Sequence, residues 1–471
     1  MGGKEHHMDT SIMRQIPKMD RLLDDPIIRQ SAIHLPRTLV RSTLQNALEE
    51  LRQDLRNGCP MPEDLTILLA EKIRKAGCSH LRRVLNGTGI ILHTNLGRAP
   101  LGENISAQVA ALACGYSNLE LDLDTGKRGS RNSHVEKLLC DLTGAESVLV
   151  VNNNASSVFL MLHTMAQEKK VAISRGELVE IGGSFRIPDI MRESRAELME
   201  IGTTNKTHLY DYERAVSEGA QLLLKVHPSN FHISGFTEEV TIPELSQLAE
   251  KAGIPLLYDL GSAFLVEEEK AGPSSGSSVR QAVAASDVVC FSGDKLLGGG
   301  QCGILLGKRR WIDAMKKDPF SRILRVDKMT LSALEQILKL FQDPENARRE
   351  IPVLRMLYTS TNELKERATS LQQRLQARIP GADFFLVPCN DEMGGGSLPD
   401  LGLEGWAVGI FSENLSPDIL AQKLRSLDVP ILGRICRDQF FLSLRTILPG
   451  EEDLLIEGIA SIFSQSARSL S

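Results

Sequence analysis

One lysine, Lys295, stands between an apolar run and a run of glycines in SDVVCFSGDKLLGGGQCG (286–303). An ammonium carried to the end of a buried strand has to be paired, neutralised or bonded covalently. Asp259 closes another apolar run, PLLYD, 36 residues earlier, and Ser292 lies three residues before the lysine. NNNASS (152–157) follows a third such run, SVLVV, and opens a helical pattern, while His227 closes QLLLKVH. Singly, each has an ordinary role: a snorkelling lysine, a turn-capping aspartate, a helix N-cap.

Jointly they meet the needs of one cofactor. A helix N-terminus of small residues receives a phosphate through free backbone N–H groups. A carboxylate beneath a pyridine nitrogen keeps it protonated, and a lysine amine forms a Schiff base with an aldehyde. Those three handles belong to pyridoxal phosphate. Gly298, Gly299 and Gly300 are then expected to leave room for the ring and for substrate.

Such a site needs a frame that gathers strand ends. Short apolar segments at 147–151, 170–174, 196–202, 221–227, 255–261 and 287–292 alternate with amphipathic stretches such as TIPELSQLAEKAG (241–253). Strands apolar on both faces and separated by helices predict an α/β fold with a mainly parallel sheet, whose ligands gather at the carboxyl ends of the strands. Before this core, RTLVRSTLQNALEELRQDLRNG and MPEDLTILLAEKIRKAG predict two helices of a small N-terminal domain. VLNGTGIILHTNLGRAPLG, from 84, has the texture of a loop with little core of its own. After the core come a long helical stretch, 329–378, and a strand-then-helix tail that suggests a smaller α+β domain. EEEKAGPSSGSS (267–278) is expected to be a flexible loop.

The 471 residues suffice for several domains, and their composition is that of a soluble protein with no apolar stretch of membrane-spanning length. No signal-peptide core is seen at the N-terminus, so the cytoplasm is the expected compartment. Eight scattered cysteines without a CxxC pair indicate neither a zinc site nor a disulfide framework. The net charge of -6 argues against a protein that coats nucleic acid indiscriminately. Residues 1–83 nevertheless carry +3 against -9 for the remainder, which permits a phosphate-bearing partner at the head.

RVLNGTGIILHTNLGRAPL (83–101), NNNASSV and above all SGDKLLGGGQCG resemble the bacterial L-seryl-tRNA(Sec) selenium transferases, from the helical head to the tail GRICRDQFFLSLRTILP. The resemblance implies a fold-type I pyridoxal phosphate enzyme with three parts: a tRNA-docking head (1–83), a cofactor-binding core with its leading loop (84–328) and a C-terminal α+β domain (329–471). It implies conversion of seryl-tRNA(Sec) to selenocysteinyl-tRNA(Sec) with selenophosphate, through a dehydroalanyl-tRNA, in a homodecamer built from dimers. Lys295 would be the Schiff-base lysine, Asp294 its polar neighbour and Asp259 the partner of the pyridine nitrogen. Asn154, Ala155, Ser156 and Ser292 would hold the phosphate. Arg98, Arg322 and Arg325 would surround the anionic selenium donor, the last two on one face if SRILR is helical. His232, Phe185 and the EIGG backbone (180–183) all remain open as the group stacked on the ring. The rival reading is a related pyridoxal phosphate lyase acting on a small amino acid or amino sugar phosphate; a second is a silent tRNA-binding scaffold.

Overall fold

The computed structural model describes residues 16–183, 185–229, 231, 233–265, 277–399 and 401–468, without the side chains of 465–468. Its packing divides the chain into two units, 1–83 and 84–471. Among the described residues no helix is long and apolar enough to cross a membrane.

The first unit holds helices α1 (Met19–Asp24), α2 (Pro26–Ser31), α3 (Arg37–Arg56) and α4 (Leu65–Gly77). Val40, Leu44, Ala47 and Leu48 form the apolar stripe of α3 and bury it against Leu69, Ala70 and Ile73 of α4. The α3 helix stops where Asn57-Gly58 signals, with Gly58 at φ +86°. The α4 helix starts later than the sequence pattern, because Asp64 caps it by accepting from the Ile67 N–H. Arg37, Arg41 and Arg56 are exposed and make no ion pair among the described residues.

The second unit is built on a seven-stranded sheet. Its strands are β1 (Ser147–Val151), β2 (Lys170–Ser174), β3 (Glu197–Ile201), β4 (Leu222–Val226), β5 (Leu256–Gly261), β6 (Val288–Ser292) and β7 (Gly303–Gly307). Their order is β1-β7-β6-β5-β4-β2-β3. The six strands expected from sequence share one direction, and β7 runs against both of its neighbours. β1, β4, β5 and β6 are buried along their whole length, as helices on both faces require. The seventh strand starts at the last glycine of the motif and continues beyond it, in GILLG.

The expected long helix after the core is four helices: Lys328–Leu340, Pro344–Glu350, Pro352–Tyr358 and Thr361–Arg378. Pro344 and Pro352 each start a new helix, since neither has an N–H for the preceding one. The tail contributes Gln439–Ser443 and Glu452–Arg468 to a four-stranded antiparallel sheet layered with helices. The leading loop is more than a connector. Leu85–Asn86 pairs in parallel with Ile431–Leu432, while Ile91 and Leu92 are buried in the core cluster. Most of the expected loop 267–278 lies outside the described residues, as does His232.

Candidate active site

Asp259 lies in β5 two residues before its end, beside a bulge. It faces Cys290 across the strand pair, and the register then skips Leu260 to set Gly261 opposite Phe291. Gly261 takes φ +61°, and a side chain there would meet the Ser229 hydroxyl at 3.1 Å, so glycine is favoured. The bulge turns the Gly261 N–H onto Asp259 Oδ1 at 2.9 Å. Asn154 Nδ2 donates to the same oxygen at 2.8 Å and the Cys290 thiol at 3.6 Å. Oδ2 has no partner among the described residues. Burial pushes the Asp259 carboxyl above its usual range, against the pull of Asn154 first, then Gly261, Lys295 and Cys290.

Lys295 lies in the turn between β6 and β7 and is only 4% exposed. Its ammonium has no hydrogen bond among the described residues. Burial, with the charge of Arg98, holds it below the ordinary lysine range, against the pull of Asp259 and Asp294. The Asp294 carboxylate is taken by Arg98, at 2.7 Å. Arg98 reaches it from a left-handed turn, φ +62°, just after Gly97. The glycines behind Lys295 are used for packing rather than left open. Gly298 adopts φ +76°, and a Cβ on it would strike Ile351 at 2.3 Å; the Gly299 N–H donates to the Gly293 carbonyl.

Helix α5 (Asn154–Met165) starts directly after β1. Asn153 is its N-cap, accepting from the Ser156 N–H at 2.8 Å. The N–H groups of Asn154 and Ala155 have no acceptor among the described residues, and the Ser156 hydroxyl stands beside them. The helix can start here because Gly303 in β7 has no side chain: a Cβ would lie 2.2 Å from the Asn153 carbonyl. Ser292, at the end of β6, is buried with its hydroxyl unpaired among the described residues.

The residues fit pyridoxal phosphate. Among the described residues Asp259 offers an open carboxylate oxygen, two helix N–H groups are free, and the buried Asn154 Oδ1 and Ser229 Oγ lack partners. Cys290 and Ser229 escaped the sequence reading. Ser229 follows the strand-ending His227 by two residues, which was the one available signal. His227 itself is half-buried, and burial lowers its imidazole pKa. Phe185 belongs to a short hairpin with 180–181, so it stays one of the open stacking candidates.

Arg322 and Arg325 come together in a second hollow of about 250 Å³, with Glu120, Arg128, Arg131 and Lys316. They do not share a helix face. The helix Phe320–Ile323 is a single turn, and Arg325 lies beyond it in a bridge with Val151 of β1. The Asn152 N–H donates to the Leu324 carbonyl at 2.8 Å, which pins the arginine segment to the strand leading into α5. Glu120 sits among three of the cations: Arg131 at 2.5 Å, Arg128 at 2.8 Å and Arg325 at 3.7 Å. Arg98 is not part of this lining.

The family model for L-seryl-tRNA selenium transferase matches residues 84–448, and the one for the selenocysteine synthase N terminal matches residues 13–52. The chain belongs to the L-seryl-tRNA selenium transferase family. It is 45% identical to the L-seryl-tRNA(Sec) selenium transferase of Geobacter sulfurreducens over 96% of this chain and 100% of that one. The protein of the same name from Moorella thermoacetica is also 45% identical, over 95% of this chain and 96% of that one. Among solved structures, D-glucosaminate-6-phosphate ammonia-lyase superposes with a TM-score of 0.54 at 19% identity, covering 82% of this chain and 97% of that one. The chain therefore shares its α/β fold with that lyase and carries a helical head besides.

Proposed function

We propose that this selenium transferase converts serine esterified to the selenocysteine tRNA into its selenocysteinyl ester, with pyridoxal phosphate as cofactor and selenophosphate as donor. The observation that carries the reading is the buried Lys295, without a hydrogen bond among the described residues, near enough to the equally buried Asp259 for each to act on the other's charge. The family's full-length match supports the choice of substrate.

Lys295 would hold the cofactor through Nζ, Asp259 would meet its ring nitrogen, and the N–H groups of Asn154 and Ala155 with Ser156 and Ser292 would take its phosphate. When bound, the cofactor supplies an electron sink for the pair left at Cα of the seryl group. Once the seryl amine has replaced it on the cofactor, the freed Lys295 amine takes the Cα proton: its lowered pKa leaves the amine neutral, and so basic, more readily than a solvated lysine. Arg98 holds Asp294 and adds the positive charge that favours this neutral form. The Cβ hydroxyl departs with a proton as water; the donor's selenium then bonds to Cβ, a proton returns to Cα, and hydrolysis of the Se–P bond releases phosphate. The cationic hollow around Arg322 and Arg325 suits the donor oxyanion, because guanidinium forks bind such groups in a bidentate manner and stay charged.

The head would dock the tRNA through backbone contacts, with Arg37 and Arg41 one helical turn apart and unpaired. Its affinity should fall steeply with salt and with the paired change Arg37→Ala and Arg41→Ala. A homodecamer built from dimers, in the cytoplasm, is the assembly we expect; sedimentation of the purified protein tests its size. The deciding assay incubates cofactor-loaded protein with serylated selenocysteine tRNA and selenophosphate and identifies the esterified amino acid. Recovery of serine alone would sink the proposal. Turnover of a free amino acid or amino sugar phosphate instead would favour the lyase.

A further inference from the structure

We propose that Asn154 and Cys290 are positioning residues for Asp259, fixing its carboxylate so that Oδ2 is the one acceptor left for the cofactor's ring nitrogen. This rests on the pyridoxal phosphate reading above and changes the expected role of Asn154, whose side chain then serves the ring end of the cofactor rather than its phosphate.

The geometry is specific. Three donors converge on Oδ1, from Asn154 at 2.8 Å, Gly261 at 2.9 Å and Cys290 at 3.6 Å, and none among the described residues reaches Oδ2. A carboxylate tied through one oxygen to donors on three elements has little freedom to rotate. The donors come from the start of α5, the β5 bulge and β6, so three parts of the core agree on one orientation. An ionised carboxylate only accepts, which settles the Asn154 amide with Nδ2 towards Asp259 and Oδ1 away from it. That Oδ1 is buried without a donor among the described residues.

The same contacts act on charge. Asp259 is 3% exposed, and an isolated carboxylate there would favour its protonated form. A protonated Asp259 could not keep the ring nitrogen charged. Asn154 offers the strongest opposing pull, and Cys290 adds a weaker one. The Cys290 thiol is itself driven well above its usual range by burial and by Asp259, so it remains a donor at any working pH.

The test measures affinity of the full-length protein for two cofactors, pyridoxal phosphate and its 1-deaza analogue, in which carbon replaces the ring nitrogen. Both carry the same phosphate and aldehyde, so only contacts relayed to the ring nitrogen distinguish them. Asn154→Ala should weaken pyridoxal phosphate roughly tenfold, the cost of one hydrogen bond to a charged group, and the analogue less than about twofold. Cys290→Ala should show the same selectivity at roughly two- to threefold, and Cys290→Ser, which keeps a donor, should restore the wild-type value. Asn154→Asp sets a second carboxylate against the first; its loss should exceed that of the alanine variant at neutral pH and shrink in acid. An equal loss with both cofactors overturns the proposal and returns Asn154 to the phosphate or the fold. No loss in any variant overturns it as well. A wild-type protein that binds neither cofactor defeats the cofactor reading itself, an outcome distinct from either of these.

Discussion

Asp259 and Glu120 are both carboxylates set among hydrogen-bond donors, and their surroundings push them in opposite directions. Asp259 is 3% exposed, meets only neutral donors on its bonded oxygen, and is pushed up by burial. The Glu120 side chain is 29% exposed, lies among guanidiniums, and is held below the usual range by hydrogen bonds from Arg131 and then Arg128. Where water is excluded, desolvation outweighs three neutral donors, so the site keeps a reactive, costly charge. Where water enters, the charges satisfy one another and any further anion must compete with Glu120 and with salt. Single changes should therefore be decisive in the first region and graded in the second.

The largest effect is expected at Lys295. Lys295→Ala should reduce selenocysteinyl-tRNA formation by about 10³-fold or more, since in the proposed mechanism the covalent anchor and the Cα base are one amine. The cofactor's visible absorbance should disappear while circular dichroism and the melting profile keep a folded protein. A variant with wild-type colour and turnover would remove Lys295 from the site.

Asp259→Asn comes next. The amide oxygen still accepts from Asn154, Gly261 and Cys290, so the fold should hold, but no charge remains for the ring nitrogen. Turnover should drop by roughly 10²-fold. Stability without cofactor should rise by about 1 kcal/mol at neutral pH, as the buried charge is gone. The pH dependence has a definite sign. The folded pKa of Asp259 lies above its unfolded value, so the wild-type penalty is absent in acid, where both states hold the proton. It is imposed as pH rises from about 4 through the folded value. A variant advantage that was largest in acid would contradict the raised pKa.

Arg325→Ala and Arg322→Ala should act on the donor alone. We expect KM for selenophosphate to rise roughly 10-fold with either change, and loss of water from the seryl group to persist. Added salt should narrow the gap between wild type and variant, because the hollow is open to water. Equal failure of both half-reactions would assign these arginines to the fold or to tRNA.

The two regions also differ in how far the sequence displays them. β1 to β6 lie within one residue of the segments read from composition, because a strand buried on both faces is an uninterrupted apolar run between turn residues. Lys295, Asp259 and the start of α5 follow from that frame, since each terminates or follows such a run. β7 was hidden because glycines bound it on both sides and GILLG looked like the remainder of the glycine motif. Helices α1 and α2 are six residues each, too short for a periodicity to register. Asn154 reaches Asp259 across 105 positions and Arg131 the Val326 carbonyl across 195, distances over which spacing carries no signal. The hollow joins Glu120, Arg128 and Arg131 to Lys316, Arg322 and Arg325, two stretches that only the tertiary fold brings together. The expectation of one helix face for Arg322 and Arg325 failed because Arg325 is drawn into a bridge with Val151, a tertiary pairing stronger than local helical tendency.

The smallest effect is expected at Glu120. Its folded pKa lies below its unfolded value, so it contributes stability above the unfolded range, near 4.3, and loses it as pH falls through the folded value. That sign is opposite to Asp259. With the side chain 29% exposed, screening limits the contribution to about 0.5 kcal/mol or less, despite three neighbouring guanidiniums. Glu120→Gln should therefore leave the melting temperature nearly unchanged at neutral pH and erase even that small difference in acid. The substitution also removes the hollow's own anion. Arg128, Arg131 and Arg325 then lose their internal partner, and KM for selenophosphate should fall by a factor of two to three at low salt, an order-of-magnitude value for one screened charge. The gain should fade as ionic strength rises. A KM that instead rises several-fold would mean that Glu120 holds the arginines in the geometry the donor requires, and that the open region depends on one carboxylate as strictly as the buried one does.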